Sequence, residues 1–401
     1  MRRFLICVIL CAVAWGAQHD FPHSVQPAVY VGLMLVVPLT LAGTLAGSAI
    51  PLHAIPLALG FLAGGFGIRH TEAFAATAPL SELAQVWVGL YLGASFSYHR
   101  FFSKKLGVSA IISIGATLIP AFPAFFLLLG FPVVQAVRLG LLAGMSGPMI
   151  TLISQPDRRE GLSFSILVTS LGLSLWFLAD LFVSTPGLYR AVPSAIMWAV
   201  GVELIARMTH TVRTGVGGQV LFGAIVATLF VCARTMHISP LFLSLVTGVG
   251  VSARSARSGI ALRGMAPLSV PLSYVVLTYF AAGLDLDGLL ELSALHWKTL
   301  VIYVAVMLVG KTAGGLSARR CAGLFVRDWS QLLPQGFFVF ALLHEAFSPA
   351  MEPAVRSGLT AGVVLLCGIA IPALTAPILY LYERMDRSRI QAAPRSVGTG
   401  E

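Results

Sequence analysis

The stretch WKTLVIYVAVMLVGKTAGGLS, Trp297 to Ser317, decides what kind of chain this is. It is long enough to cross a bilayer, which takes about 20 mainly apolar residues. Inside it sits Lys311, preceded by Met307, Leu308, Val309 and Gly310, too deep for its ammonium to reach water easily. A charge at the centre of a membrane helix costs at least ~2.5–3.5 kcal/mol on insertion scales. A lysine kept there has a functional role or a structural partner.

The rest of the chain repeats the pattern. Of 401 residues, 57% are hydrophobic and 10% charged, with a mean hydropathy of +0.88. Soluble domains run at roughly 45–50% and 25%, so a water-facing fold is excluded. Apolar segments lie near 28–50, 54–68, 82–98, 106–130, 132–154, 162–183, 190–206, 217–234, 238–252, 266–284, 297–317, 326–347 and 355–382. The expectation is an all-α polytopic membrane protein of about thirteen transmembrane helices. Many of its 40 glycines and 22 prolines fall inside these runs. Membrane helices tolerate them because neighbouring groups satisfy the freed backbone.

A net charge of +10 on a soluble protein would suggest nucleic acid, but here the basic residues sit in loops. Arg100, Lys104 and Lys105, then Arg158 and Arg159, Arg207 and Arg213, Arg254, Arg257 and Arg263, Arg319 and Arg320, and Arg384, Arg387 and Arg389 fall in every second loop. That alternation is a topology signal. It predicts a bacterial inner-membrane protein with its mature N-terminus outside and its C-terminus in the cytoplasm, and no nucleic-acid partner. Arg69, Arg190 and Arg234 are exceptions on the outer side. Residues 1–17, with Arg2 and Arg3 before Phe4 to Trp15, have the shape of a signal peptide or a short first helix. Residues 28–385 form the transmembrane domain, and 386–401 a short basic tail.

Interruptions in corresponding segments of two halves point to a transport site. The fifth segment contains Ser146-Gly147-Pro148 and the twelfth Pro334-Gln335-Gly336, seven segments apart, as an inverted repeat would place them. Simple proline kinks are the plainer reading. Glu203 and Arg207 are spaced for an intrahelical pair, and Asp180 and Arg138 also lie towards segment ends. Asp285, Asp287 and Glu345 read as boundary carboxylates. The five cysteines are scattered in or beside apolar segments without metal-ligand spacing, the nine histidines lie mostly in loops or near helix ends, and His344-Glu345 alone is no metal site. No enzyme, cofactor or metal is expected.

With this layout the chain resembles the monovalent cation:proton antiporters of the Kef/NapA type over roughly 28–385. Ile55-Pro56-Leu57-Ala58-Leu59-Gly60-Phe61-Leu62-Ala63-Gly64-Gly65 looks like that family's "lP.vlGyllaG" segment. Phe280-Ala281-Ala282-Gly283-Leu284-Asp285-Leu286-Asp287 looks like "FF..Gl.ld". Val309-Gly310-Lys311-Thr312-Ala313-Gly314-Gly315 resembles the lysine-bearing helix, and Leu333-Pro334-Gln335-Gly336-Phe337-Phe338 the "l.prGef" break. The resemblance implies inverted repeats with two broken helices crossing beside an ion site, a separate dimerisation bundle, a homodimer in the lipid bilayer, and a monovalent cation and a proton as partners. The segments holding Ser146, Gly147 and Pro148 and Pro334, Gln335 and Gly336 match the crossing pair.

One departure stands out. The family carries an ion-binding acid on the helix after the first break, and here Thr169 and Ser170 occupy its place. Asp180 is ten residues on, ~15 Å along a helix. Without the acid, coupling could rest on Lys311 taking and releasing protons, with the hydroxyls of Thr169 and Ser170 and carbonyls at the breaks coordinating the cation. A same-fold transporter of an organic anion or a sodium-coupled solute is an alternative, as is a non-transporting scaffold or sensor.

Overall fold

The structure is a computed structural model and describes residues 36–37, 40–41, 52–65, 68–95, 104–147, 159–183, 198–209, 216–236, 239–254, 262, 265–322, 335, 337–347 and 351–375. The expectations for 1–17, 386–401, Pro148, Arg190, Pro334 and Gly336 lie outside the described residues. All regular structure among those described is helical. We label the main helices α1 (Ala54–Gly65), α2 (Ala78–Ser95), α3 (Lys104–Pro123), α4 (Val133–Gly144), α5 (Arg159–Val183), α6 (198–209), α7 (Val216–Met236), α8 (Pro240–Arg254), α9 (Ala266–Ala282), α10 (Ala294–Ala322), α11 (Phe337–Ala346) and α12 (Pro353–Val363).

Three helical stretches are long and apolar enough to cross a membrane: Lys105–Leu128, Ala294–Ser317 and Pro353–Thr375. Six shorter apolar helices accompany them. Two of the long stretches contain π-helical turns, Ala124–Leu128 following α3 and Val364–Ala370 following α12. The first follows Pro120 and Pro123, whose missing N–H groups loosen the regular ladder. Gly130, with φ +68°, then reverses the chain into α4, a conformation open to glycine and strained for other residues.

The buried apolar residues fall into two clusters. The larger gathers side chains from α1, α3, α4, α5, α9, α10, α11 and α12. The smaller is built from α6, α7 and α8 with one face of α2, including Val202, Ala206, Ile225, Val226 and Leu229. Helices α2 and α8 serve both. Val88 and Leu92 of α2 enter the larger cluster while Val86, Leu90 and Ala94 enter the smaller, and Leu241 and Leu243 of α8 divide the same way. This pair forms the wall between the two bodies.

Lipid gives helices no hydrophobic drive to associate, so close backbone packing does much of the work. A Cβ on Gly89 would collide with Ser244 Oγ, one on Gly93 with the Leu245 carbonyl, and one on Gly248 with the Leu90 carbonyl. The α2–α8 seam is thus backbone on backbone. Gly60 and Gly64 do the same between α1 and the Thr278 and Ala282 carbonyls of α9. Both segments of the sequence resemblance, 55–65 and 280–287, therefore pack directly on one another.

Two of the three arginines that depart from the charge pattern, Arg69 and Arg234, have acidic partners. Arg69 Nη1 meets Asp285 Oδ1 at 2.6 Å and its Nη2 meets Asp287 Oδ2 at 3.3 Å. The Asp285 N–H donates to Ser357 Oγ at 3.0 Å, so the node ties the ends of α1 and α9 to α12. Arg234 forks onto both oxygens of Glu82 at 2.7 and 3.0 Å. The expected Glu203–Arg207 pair is present at 2.8 Å, and Arg254 reaches the other Glu203 oxygen at 2.8 Å.

Burial alone would raise the Asp285 carboxyl, but the hydrogen bond and charge of Arg69, with the N–H groups of Asp287 and Gly288, outweigh it and hold the carboxyl below its ordinary value. A carboxyl depressed in the folded state contributes stability above its unfolded pKa and loses it as pH falls through the folded one. Asp285→Asn should lower thermal stability at neutral pH by at most about 1 kcal/mol, since the side chain is 33% exposed and the pair is screened. The gap to wild type should close below about pH 4. Unfolding of detergent-purified protein across that range measures it, and a gap unchanged in acid would sink the ion-pair account.

Candidate functional site

Helix α4 ends at Gly144, and residues 145–147 continue without helical structure although they are buried. A helix that stops inside the membrane leaves its last carbonyls without intrahelical donors. Here the Met145 N–H closes back on Leu141 O at 3.0 Å and Leu142 O at 3.2 Å. The remaining capacity is taken from across the molecule. Gln335, at the second sequence break, donates from Nε2 to Leu142 O at 3.1 Å and Ala143 O at 3.4 Å. Gln335, one residue of the second interruption read from the sequence, therefore meets the helix end just before the first.

The other end of that amide is held by α10. Tyr303 Oη donates to Gln335 Oε1 at 3.1 Å. Gln335 is 0% exposed and Tyr303 1%, so this is a polar contact sealed within apolar surroundings. Phe125, in the π-helical turn after α3, lies against the tyrosine ring at a centroid distance of 6.4 Å.

On the opposite side, the first break rests on α5. Ser146 Oγ bonds Ser165 O at 2.9 Å and lies 2.8 Å from Ser165 Oγ and 3.3 Å from Thr169 Oγ1. Thr169 Oγ1 donates to Ser146 O at 3.0 Å. Ser146, Ser165 and Thr169 are all fully buried. Four residues apart, Ser165 and Thr169 share a face of α5, and Gly172 on that face accommodates the Met145 side chain. Ser170, one step round the helix, is half-buried and outside this cluster of hydroxyls.

Lys311 is 1% exposed. It is held at this depth by a seam between α10 and α3: a Cβ on Gly310 would collide with Thr117 Oγ1, and one on Gly314 with Ser113 Oγ. Thr117 in turn lies 3.4 Å from where a Cβ of Gly144 would stand, so the lysine's helix flanks the end of α4. Cys367, in the second π-helical stretch, is fully buried.

The structure thus brings Ser146, Thr169 and Gln335 into one connected region, with buried Gly147 beside them and Lys311 on the helix alongside. Pro148, Pro334 and Gly336 lie outside the described residues, as do the side chains of Asp180 and Glu345. Arg138 lies midway along α4 with its guanidinium over the Trp176 ring at 5.1 Å. The sequence reading missed Tyr303 and Ser165. Both left a signal: Ser165 stands four residues before Thr169, and Tyr303 is a lone phenol in an apolar run, whose O–H needs a partner when buried. Among the described residues no group of three His, Cys, Asp or Glu could hold a metal ion. What the site offers is neutral oxygen, from hydroxyls, carbonyls and an amide, beside one lysine.

No protein-family model and no curated protein sequence matches the chain. Its fold is similar to that of the sodium proton antiporter MjNhaP1 from Methanocaldococcus jannaschii. A structure of that protein at pH 8 superposes with a TM-score of 0.61 at 14% sequence identity, covering 88% of this chain and 99% of that one. An electron-microscopy map of the same antiporter gives 0.61 and 14% over 88% of this chain and 96% of that one. At this identity the likeness is one of fold: the chain is an all-helical polytopic membrane protein of that architecture.

Proposed function

We propose that the chain is a secondary active transporter, a monovalent cation (Na+ or K+):proton antiporter working by alternating access. The observation that carries this reading is the meeting of two interrupted segments through Gln335, with Lys311 buried on the adjoining helix. Irregular backbone at membrane depth is tolerated where it lines a pathway or is buried in protein, and paired breaks are characteristic of transport sites. The shared architecture with a sodium proton antiporter supports the same reading. On it, Ser146, Gly147 and Pro148 with Pro334, Gln335 and Gly336 frame the ion path. Thr169 supplies the hydroxyl that bonds the break, and Lys311 takes and releases the proton. The reading includes a homodimer in a bacterial inner membrane, residues 28–385 as the transporting unit, an outer mature N-terminus and a cytoplasmic C-terminus.

A second reading is favoured by one observation. Where the antiporters of the sequence resemblance carry an acid, this chain has Thr169 and Ser170, and no carboxylate is buried among the side chains described. A neutral and cationic site would suit an organic anion in the same fold.

Proton flux in proteoliposomes, followed with a pH dye as Na+, K+ or Li+ is added, tests the proposal. Cation-dependent collapse of the gradient is expected, and Lys311→Ala should bring it down to the level of empty vesicles. A fully active Lys311→Ala would remove the lysine from the mechanism.

Thr169→Asp, at the hydroxyl that bonds the break, separates the two readings. For a cation substrate, a restored carboxylate should lower the apparent KM by on the order of tenfold, the worth of one charge-assisted contact. For an anion substrate the same change should abolish transport. Uptake assays on vesicles carrying each protein distinguish the two.

A further inference from the structure

The side chain of Gln335 occupies the place a cation would take. Leu142 O and Ala143 O belong to the last turn of α4, where the helix dipole is negative and, although Leu142 O also accepts from the Met145 N–H, the regular ladder has ended. Gln335 puts the positive end of a neutral dipole there. The orientation of the amide is dictated by chemistry: carbonyl oxygens only accept, so the atom facing them is Nε2. Its Oε1 accepts from the Tyr303 hydroxyl. Both side chains are sealed from water, so any new orientation has to find its partners inside the protein.

We infer that the Gln335 amide is a resident occupant of an alkali-cation site and turns over when the ion enters. In the loaded state Nε2 leaves the α4 carbonyls. Oε1 then joins Leu142 O and Ala143 O around the cation, and Nε2 donates to Tyr303. The hydroxyl of Tyr303 donates in the empty state and accepts in the loaded one. A phenol can do both; a phenyl ring can do neither. Tyr303 is therefore a positioning residue that keeps the amide satisfied in either state. No covalent bond changes and no proton is transferred. The ligand class is a small, largely dehydrated alkali cation held by neutral oxygens. The inference rests on the cation reading above and adds Leu142, Ala143 and Tyr303 to it.

The test uses the full chain in detergent and in proteoliposomes, with NaCl, KCl and LiCl as probes against choline chloride at constant ionic strength. Ions that bind the folded state raise its thermal stability with concentration, which reads affinity without transport. Wild type should be stabilised by at least one alkali ion. Tyr303→Phe loses its bond in both states, but the loss is larger in the loaded one, where the ion polarises the amide N–H. The apparent affinity should therefore weaken on the order of tenfold and the KM for the cation rise with it. Gln335→Glu presents oxygen in either orientation and cannot donate to the α4 carbonyls, so affinity should tighten by about tenfold. Gln335→Leu should lose binding. If that variant fails to fold, Tyr303→Phe, which differs by one hydroxyl, carries the test. Wild-type affinities in both Tyr303→Phe and Gln335→Glu would overturn the switch while leaving antiport intact. Variant shifts as expected, without proton-coupled flux in wild type, would leave the site standing and remove antiport. No cation dependence of either readout in wild type would remove both.

Discussion

A helix that stops in the middle of a membrane has to give its last carbonyls to something other than water, and this structure depends on how that is done. At the end of α4 the donor is the amide of Gln335, from a segment more than 190 residues further along. Any change that removed the amide would take a donor from Leu142 O and Ala143 O in a low-dielectric interior, at about 0.5–1.5 kcal/mol for each bond lost, although Leu142 O keeps the Met145 N–H. The break in α4 and the break at Gln335 are thus conditions of each other. Tyr303 extends the dependence to α10 and so to the helix that carries Lys311. Three separate lengths of chain are fixed around one neutral amide.

The seams explain how such a site stays closed. Gly310 and Gly314 let α10 lie against Ser113 and Thr117 of α3 with no side chain between. The same device joins α1 to α9 and α2 to α8. In lipid these contacts supply packing that hydrophobicity cannot, because hydrocarbon is as good a solvent for leucine as another helix is. The division of α2 and α8 between two apolar clusters separates the described residues into two packed groups, with Met145 in the larger. The alternating access proposed above would need such a division, since one body has to move against another.

Much of this was legible in the sequence because it is local. Hydropathy pointed to an all-helical membrane protein, and Ser146-Gly147 marked the non-helical stretch that ends α4. The spacing of Glu203 and Arg207 gave a pair that the structure contains, and the depth of Lys311 follows from its neighbours in the chain. What escaped is non-local. Arg69 and Arg234 looked like exceptions to the charge pattern, and their acidic partners lie 216 and 152 residues away. No periodicity links such pairs. Tyr303 escaped for the same reason: a helix pattern tells which face is buried, but not which atom waits on the far side. Thr169 and Ser170 read as equivalent hydroxyls, and only the fold separates one that bonds the break from one that turns aside.

The substitution of hydroxyls for the expected acid changes what kind of coupling is physically available. Where one carboxylate accepts either proton or cation, exchange follows from competition for a single atom. A shell of neutral oxygens holds a cation by dipoles alone and has no group a proton would take in its stead. On the proposed antiport, proton and cation would then act at different places and communicate through the protein. Helix α10 would suit that role, for it holds Lys311 at one level and Tyr303 about two turns away. A change in charge at Lys311 alters the field along α10, and displacement of α10 alters the hydroxyl that orients Gln335. Coupling of this sort is a difference in how well two states are satisfied, and it operates only if both ligands bias the same element.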